Sequence, residues 1–110
     1  MAEIADATFN GKTGTYQFQV YPNDTAFKAV GAVYVFTKRT VDSSGKGSHA
    51  LLYIGQTESL ADRIPNHDKW PCVKKNGGNC ICVHLDHDEA SQLRKEADLR
   101  AAHGTPCNDR

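Results

Sequence analysis

The sequence has no long apolar stretch and no net charge. Thirteen basic residues balance 13 acidic ones, and no run approaches the roughly 20 apolar residues that cross a bilayer. The opening segment, Met1 to Asp6, carries acidic side chains and lacks the basic-then-apolar layout of a secretory signal. These absences argue against a membrane-spanning protein, a secreted protein and a strongly basic nucleic-acid coat. We therefore expect no membrane partner and a cytoplasmic location, although a local basic cleft is compatible with the charge balance.

The length and composition indicate one folded domain. The chain has 110 residues, of which 39% are hydrophobic and 24% charged. These values are typical of a globular domain and unlike those of a disordered segment. We predict a flexible N-terminus over residues 1–12 and a single domain over residues 13–110.

Cysteines are few, namely Cys72, Cys80, Cys82 and Cys107. Two disulfides are arithmetically possible, but in a cytoplasmic chain we expect reduced thiols. Histidines lie among them, which raises the alternative of a zinc site using His67, His84, His87 or His103. No CxxC knuckle occurs, and the alternation of a strand places Cys80 and Cys82 on one face. Packed or inert thiols are therefore favoured over a structural metal.

The first half of the chain reads as strands. Residues 15–21 alternate apolar and polar side chains and end at Pro22, as expected for an edge strand. Residues 29–37 are almost all apolar, which is typical of a strand buried on both faces. A polar, glycine-rich loop over 42–48 separates them from a second apolar run at 50–55. These two runs predict an antiparallel hairpin.

The second half adds a short helix beginning at 60–64, a connection at Trp70, a strand at 80–85 and a long helix at 89–103. The long helix shows helical spacing of apolar residues at Ala90, Leu93, Ala97 and Ala101. The order predicts an α/β (α+β) domain with a small central three-stranded antiparallel or mixed sheet, flanking helices and an extra N-terminal edge strand.

Two short motifs lie in the adjacent strands of the predicted hairpin. They are Ala32-Val33-Tyr34 in the first strand and Tyr53-Ile54-Gly55 in the second. Together they resemble the paired motifs of the GIY-YIG nucleases. The second triplet matches letter for letter, whereas valine replaces the isoleucine of the first.

Further matches follow in the order of that family. Arg63 lies ten positions after Tyr53, and His67 one helical turn beyond it. Glu96 lies in the last helix, and Asn108 follows it by twelve positions, behind Pro106. The resemblance covers about residues 30–108, and it implies the GIY-YIG fold. It also implies a catalytic set consisting of Tyr34, Tyr53, Arg63, His67, Glu96 and Asn108.

The implied chemistry is metal-dependent hydrolysis of phosphodiester bonds in DNA. Arg63 suits a phosphate because its guanidinium donates two parallel hydrogen bonds. Glu96 is implied as the ligand of one Mg²⁺ or Mn²⁺, which supports the leaving oxygen. Tyr34 is the candidate that orients or activates water, with Tyr53 as its partner, and the two roles are exchangeable. A tyrosine is a weak base unless a nearby cation favours its phenolate.

Basic residues offer a path for the nucleic-acid backbone from the hairpin loop to the third strand. The candidates are Lys38, Arg39, Lys46, Lys69, Lys74 and Lys75. Taken singly, each candidate residue also has an ordinary structural explanation, and it is their joint occurrence that favours the nuclease hypothesis. The alternative is a catalytically idle copy of the domain that binds nucleic acid or a protein partner. A homodimer is compatible with either, and a zinc-binding adaptor is the least supported.

Overall fold

A five-stranded antiparallel sheet is the scaffold of the chain in the computed structural model, which describes residues 3–108. Its strands are β1 (Ala5–Asn10), β2 (Thr15–Pro22), β3 (Ala32–Val41), β4 (Gly47–Thr57) and β5 (Cys80–Leu85). The helices are α1 (Leu60–Arg63), α2 (Trp70–Lys75) and α3 (Glu89–Ala102). The strands lie in the order β1-β2-β5-β3-β4, so β1 and β4 form the two edges.

The flexible N-terminus predicted for residues 1–12 is wrong for its described part. Residues 5–10 form β1 and pair with β2 in register, whereas residues 1–2 lie outside the described chain, as do residues 109–110 of the predicted domain. The strand predicted as an edge is therefore an interior strand between β1 and β5, and the sheet has five strands where a three-stranded core plus one edge strand was predicted. The signal in β1 is weak because only Phe9 is a large side chain among its inward-facing residues.

The central elements follow the prediction. β3 and β4 form the antiparallel hairpin, and its loop is held by the Asp42 carboxylate, which accepts bonds from the backbone amides of Ser44 and Lys46. β5, α1 and α3 lie where the sequence placed them. The domain is thus an α+β fold built around the hairpin that carries both tyrosine motifs.

Each face of the sheet has its own hydrophobic core. We call one the front face; it includes Ala32, Tyr34, Phe36, Leu60, Ile64, Val73, Ile81 and Val83, with α1 and α2 contributing. The other, the back face, includes Phe18, Val20, Val33, Val35, Ile54, Cys80, Cys82 and Leu99, the last from α3. A bulge in the hairpin pairing between Phe36 and Thr37 lets Leu52 and Tyr53 both join the front-face core.

α3 packs through a different face from the predicted one. Leu93 is 47% exposed, whereas Gln92 and Leu99 are fully buried, and Ala90, Ala97 and Ala101 are exposed. Polar anchors fix this rotation of the helix. The Asp98 carboxylate accepts hydrogen bonds from the Tyr16 hydroxyl and from backbone amides in the β1–β2 turn. Burying Leu99 and forming the charge-assisted bonds of Asp98 therefore stabilise the fold more than burying the predicted helix face, which is mostly alanine.

A disulfide joins Cys72 to Cys107, so the expectation of reduced thiols is wrong for this pair. The C-terminal segment returns along β4, where the Cys107 amide donates to the Leu52 carbonyl, and this brings the two thiols together. The connection predicted at Trp70 is instead the start of α2. Pro71 fits its first turn, where a missing amide is harmless. Within residues 3–108, no helix is long and apolar enough to cross a membrane.

Candidate active site

Four of the predicted site residues come together on the front face. The Tyr34 hydroxyl lies 2.7 Å from His67 Nε2 and accepts a longer bond, 3.4 Å, from Arg63 Nε. The Tyr34 and Tyr53 rings stack with centroids 6.1 Å apart, and Tyr53 meets His67 edge-on at 4.8 Å. Strands β3 and β4 supply the tyrosines, and α1 with the turn after it supplies the arginine and the histidine.

The register of the hairpin explains why the two tyrosines share a face. Tyr34 pairs with Gly55, and Tyr53 pairs with Phe36, so the tyrosines are diagonal neighbours. Gly55 leaves the space that both rings occupy. A Cβ at that position would lie 2.7 Å from Tyr34 Cζ and 2.7 Å from Tyr53 Cε2. The glycine of the second triplet is therefore required by packing.

We expect Gly55→Ala to destabilise the fold and to displace the tyrosine pair. Overpacking a filled core costs about 1–3 kcal/mol, and at 2.7 Å from the new Cβ the Tyr34 and Tyr53 rings would have to move. Urea unfolding measures the loss. Gly104→Ala is the matched control, because nothing lies within 4 Å of a Cβ at that position. Equal stability of the two variants would contradict this packing account.

Tyr34 is protonated at neutral pH. Its side chain is buried, and this burial raises the pKa of its hydroxyl; the charge of Tyr53 acts in the same direction, while Arg63 opposes both. Burial outweighs the one guanidinium nearby. The hypothesis that a cation favours the phenolate of Tyr34 is thus not supported by the side chains around it.

His67 is neutral, and its tautomer follows from its partners. Burial, aided by the positive charge of Arg63, lowers its pKa to about 4, against the opposing effect of Asp68. The Lys69 backbone amide donates to Nδ1 at 3.1 Å, so the ring proton lies on Nε2. Nε2–H therefore donates to the Tyr34 hydroxyl. That oxygen accepts from both His67 and Arg63, which leaves its own proton to be donated elsewhere.

The buried neutral histidine predicts a loss of stability in mild acid. The pKa of His67 is 6.5 when unperturbed and about 4 in the folded chain, so the unfolded state binds the extra proton. The free energy of unfolding should fall as pH drops from about 6.5 to about 4, by up to about 3 kcal/mol, and be independent of this group below that. Urea titrations of wild type, His67→Gln and the control His87→Gln measure it. A slope that survives in His67→Gln would contradict the assignment.

Arg63 has a partner that the sequence reading missed. Its Nη2 donates to the Asp68 carboxylate at 3.2 Å, and the guanidinium side chain is 37% exposed. Asp68 is itself 68% exposed. The sequence holds no distinctive signal for this pair beyond an acid five positions after the arginine. Arg63 is thus the cation of the cluster that solvent reaches, and an exposed carboxylate occupies part of it.

Glu96 lies on α3, the helix of the back face. Its side chain is 18% exposed, and its carboxylate forms a long ion pair with Arg100 at 3.8 Å. Burial raises its pKa, with Arg100 opposing. In the described chain, no hydrogen bond or ion pair joins Glu96 to Tyr34 or Arg63, and no three His, Cys, Asp or Glu side chains gather to hold a metal. A half-buried carboxylate with one weak partner nevertheless suits a hydrated divalent cation, which would offset the effect of burial.

Asn108 acts as a clamp on the edge of the sheet. Its side-chain amide accepts from the Ile54 amide and donates to the Ile54 carbonyl, both at 2.9 Å, and the Thr105 hydroxyl donates to its Oδ1. Asn79 makes the same double contact with the backbone of Arg39. The contacts of Asn108 are thus structural, and they hold Ile54, which lies between Tyr53 and Gly55. The catalytic role of Asn108 stays a prediction.

The predicted basic path is only partly continuous. Lys74 lies over the Trp70 ring at 5.8 Å, and Lys75, Lys69 and Lys38 lie on or next to α2, the last against Gly77. Lys46 is in the hairpin loop. Arg39 does not belong to this set, because its guanidinium lies over Gly47 and it pairs across the strands with His49. The front-face basic surface is therefore Lys38, Lys69, Lys74 and Lys75.

Comparisons with protein-family models, with curated protein sequences and with solved structures found no match to this chain. The likeness to GIY-YIG nucleases therefore depends on the ordered motifs alone. The geometry contributes independently of any relative, because it brings two tyrosines, an arginine and a histidine into one cluster.

Proposed function

We propose that this chain is a metal-dependent endonuclease that hydrolyses phosphodiester bonds of DNA with a GIY-YIG-type site. The observation that supports this most is the convergence of Tyr34, Tyr53, Arg63 and His67 on one face of the hairpin. Side chains distant in sequence form a polar cluster inside an aromatic core, where an ordinary fold would place apolar groups. The cluster has the donors that a phosphoryl group in transfer requires.

Arg63 is the group that binds the phosphate. Its guanidinium is the solvent-reachable cation of the cluster, and Nε is already turned to the tyrosine hydroxyl. A phosphate arriving from solvent replaces Asp68 on Nη2 and gains two parallel hydrogen bonds. The bound phosphorus then lies beside both tyrosines, which is the orientation that hydrolysis needs.

The surroundings of the two tyrosines favour an exchange of the roles suggested by the sequence, with Tyr53 contacting the water and Tyr34 as its partner. Tyr34 is 1% exposed and holds its proton, so it suits a fixed donor that orients a phosphoryl oxygen or the attacking water. Tyr53 is half-buried and lies nearer to solvent, so it is the better candidate to contact the water directly. His67, neutral and held by Lys69, keeps the Tyr34 hydroxyl oriented.

Glu96, on the back-face helix α3, is the residue that would hold Mg²⁺ or Mn²⁺, and the chemistry such an ion would supply is stabilisation of the departing oxygen. Burial raises the pKa of Glu96, and a bound cation would favour its carboxylate form. The front-face basic surface of Lys38, Lys69, Lys74 and Lys75 would hold the flanking backbone without reading its sequence.

Asp68→Asn is expected to strengthen DNA binding several-fold, because it removes the carboxylate that competes with phosphate for Arg63. Fluorescence anisotropy with a labelled duplex at fixed salt measures the affinity. Asp24→Asn is the matched control, since it makes the same charge change at an exposed site in the β2–β3 connection. Equal gains in both variants would mean that net charge alone is responsible.

The test of the function is cleavage of a panel of plasmid, branched and single-stranded DNA, and RNA. Wild-type protein is assayed with Mg²⁺, with Mn²⁺ and with a chelator. Metal-dependent DNA cleavage supports the proposal if the cleaving activity co-elutes with the protein. The preferred member of the panel then identifies the substrate. Absence of cleavage across the panel would reject it.

A second candidate is a catalytically idle module that binds nucleic acid or a protein partner. The specific observation in its favour is that Glu96 contacts Arg100 and not the tyrosine cluster. The raised pKa of the buried Tyr34 points the same way. Saturable DNA binding, with no cleavage of any substrate of the panel in Mg²⁺ or Mn²⁺, would favour this candidate.

A further inference from the structure

The sheet curls so that its two edges face each other across a groove of about 530 Å³. On the back face, the edges are linked by an edge-on contact between the Phe9 and His49 rings, with centroids 5.6 Å apart. Small residues on the facing strands keep the groove open. Those from β1 and β4 that line it include Ala5, Ala7 and Gly47.

The direction of the strands leaves room for one more. All neighbouring pairs of the five strands are antiparallel, so β1 and β4 run the same way. They cannot close the sheet on each other as an antiparallel pair. A sixth strand running opposite to both would continue the alternation and complete a small barrel.

Both edges present unpaired backbone groups to the groove. The turn bond from the Gly11 amide to the Gly14 carbonyl sets the alternation in β1, and it turns the peptide groups of Asp6 and Thr8 outward. The loop bond from Asp42 to Lys46 does the same for β4, where the outward residues are Gly47, His49 and Leu51. No turn, loop or side-chain hydrogen bond in the described chain uses these backbone groups.

Within residues 3–108, the chain covers part of each edge next to this groove. Farther along β4, the tail occupies the edge through the Cys107 amide and the Asn108 side chain. At the end of β1, the carbonyl of Asn10 bonds with His103 Nε2 at 2.7 Å. Free edges invite pairing and are normally blocked. On each strand, the open stretch therefore ends at a segment that the fold itself has closed.

Arg39 indicates the charge of what would fit there. It lines the groove, and its Nε and Nη2 lie 3.1 Å from the position of a Cβ on Gly47. Its Nε is buried without a hydrogen-bond partner, and in residues 3–108 no acidic side chain pairs with it. Asp6 is the one acid of the lining, and strand alternation turns its side chain to the opposite surface. A carboxylate is the complementary group for Arg39.

We propose that this groove binds an extended peptide strand of a partner protein, antiparallel to both β1 and β4, with an Asp or Glu side chain against Arg39. The open edges accommodate about four or five residues at roughly 3.3 Å each. Backbone bonds to both edges provide the affinity, and Arg39 selects the acidic residue. This site is independent of the nuclease proposal, because it lies at the edges and back of the sheet, away from Arg63 and Tyr34.

The probe is a fluorescent pool of peptides of about eight residues, in which a central glutamate is fixed and the other positions are valine or threonine. Matched pools carry glutamine in place of the glutamate, or N-methyl groups on alternate amides. A twelve-nucleotide oligo-dT is the nucleic-acid probe. Anisotropy gives affinities, and amide hydrogen exchange shows which backbone groups become protected.

We expect the glutamate pool to bind the wild type, with protection of Thr8, His49 and Leu51. Glutamine in the pool or Arg39→Gln should weaken binding about tenfold, and Lys46→Gln, the same charge change in the hairpin loop, should not. Thr8→Pro removes one outward amide while the ladder to β2 stays intact, so it should also weaken binding.

Three results would overturn the proposal. One is no saturable binding of any pool at millimolar concentration by folded wild type. Another is equal binding of the N-methylated pool, which would exclude strand pairing. The third is protection of the same amides by oligo-dT or by self-association of the protein, with none by peptide, which would assign the groove to nucleic acid or to a second copy.

Discussion

Replacing Arg63 by lysine is expected to lower the rate of metal-dependent DNA cleavage by about 10²–10³-fold. Lysine keeps the charge but lacks the planar guanidinium group, which can donate two hydrogen bonds to a phosphate and a third to the tyrosine. In the folded chain, Nε already donates to the Tyr34 hydroxyl, and Nη2 is shared with an exposed acid. Both geometric functions are lost together, while net charge stays constant.

Single-turnover cleavage at saturating DNA separates this effect from weaker binding. Arg94→Lys is the matched control, because Arg94 is an exposed residue of α3 away from the cluster. Thermal unfolding of both variants excludes a folding defect, since Arg63 is 37% exposed. A rate within about threefold of wild type in Arg63→Lys would show that charge suffices and that the planar guanidinium group is not used.

Glu96→Gln is expected to abolish detectable cleavage, a loss of at least about 10³-fold, without reducing stability. The substitution keeps the shape of the side chain and removes the only carboxylate assigned to the metal. Burial raises the pKa of Glu96, and its ion pair with Arg100 is long at 3.8 Å. Removing the charge therefore costs the fold little, so a stable but inactive protein is the expected outcome.

Mn²⁺ binding by electron paramagnetic resonance supplies a second measurement that does not need activity. Wild-type protein should bind the ion, and Glu96→Gln should not. Glu89→Gln, an exposed acid two turns earlier on the same helix, serves as the control and should behave as wild type. If Glu89→Gln loses the ion and Glu96→Gln keeps it, the metal assignment moves to the start of α3.

The part of the site that the sequence predicted follows from local rules. Pairing in the predicted hairpin brings Tyr34 and Tyr53 onto neighbouring strands, and a spacing of four residues keeps His67 near Arg63. That both tyrosines lie on the front face depends also on the bulge between Phe36 and Thr37, which the sequence pattern did not predict. Gly55 is explained by its immediate neighbours as well, because only a residue without a side chain lets the two tyrosine rings approach each other. Neighbours in strand register or within one helical turn can be inferred from one chain.

Contacts between distant segments could not be inferred in that way. Nothing near Cys72 indicates that the tail brings Cys107 to it across 35 positions, and nothing near Asp98 indicates its bonds to the β1–β2 turn. The rotation of α3 depends on those bonds, so its buried face was predicted wrongly. β1 was missed because its few inward side chains gain stability only once β2 is beside them.

The most direct test of the central claim is nicking of supercoiled plasmid in Mg²⁺ by Tyr34→Phe beside Tyr21→Phe. Both variants lose one hydroxyl, but among residues 3–108 the Tyr21 hydroxyl makes a single long hydrogen bond, to Gln19 at 3.4 Å. The account predicts a loss of at least about 10²-fold for Tyr34→Phe and wild-type activity for Tyr21→Phe. Undiminished nicking by Tyr34→Phe would contradict it, because the front-face cluster would then not be the place where DNA is cut.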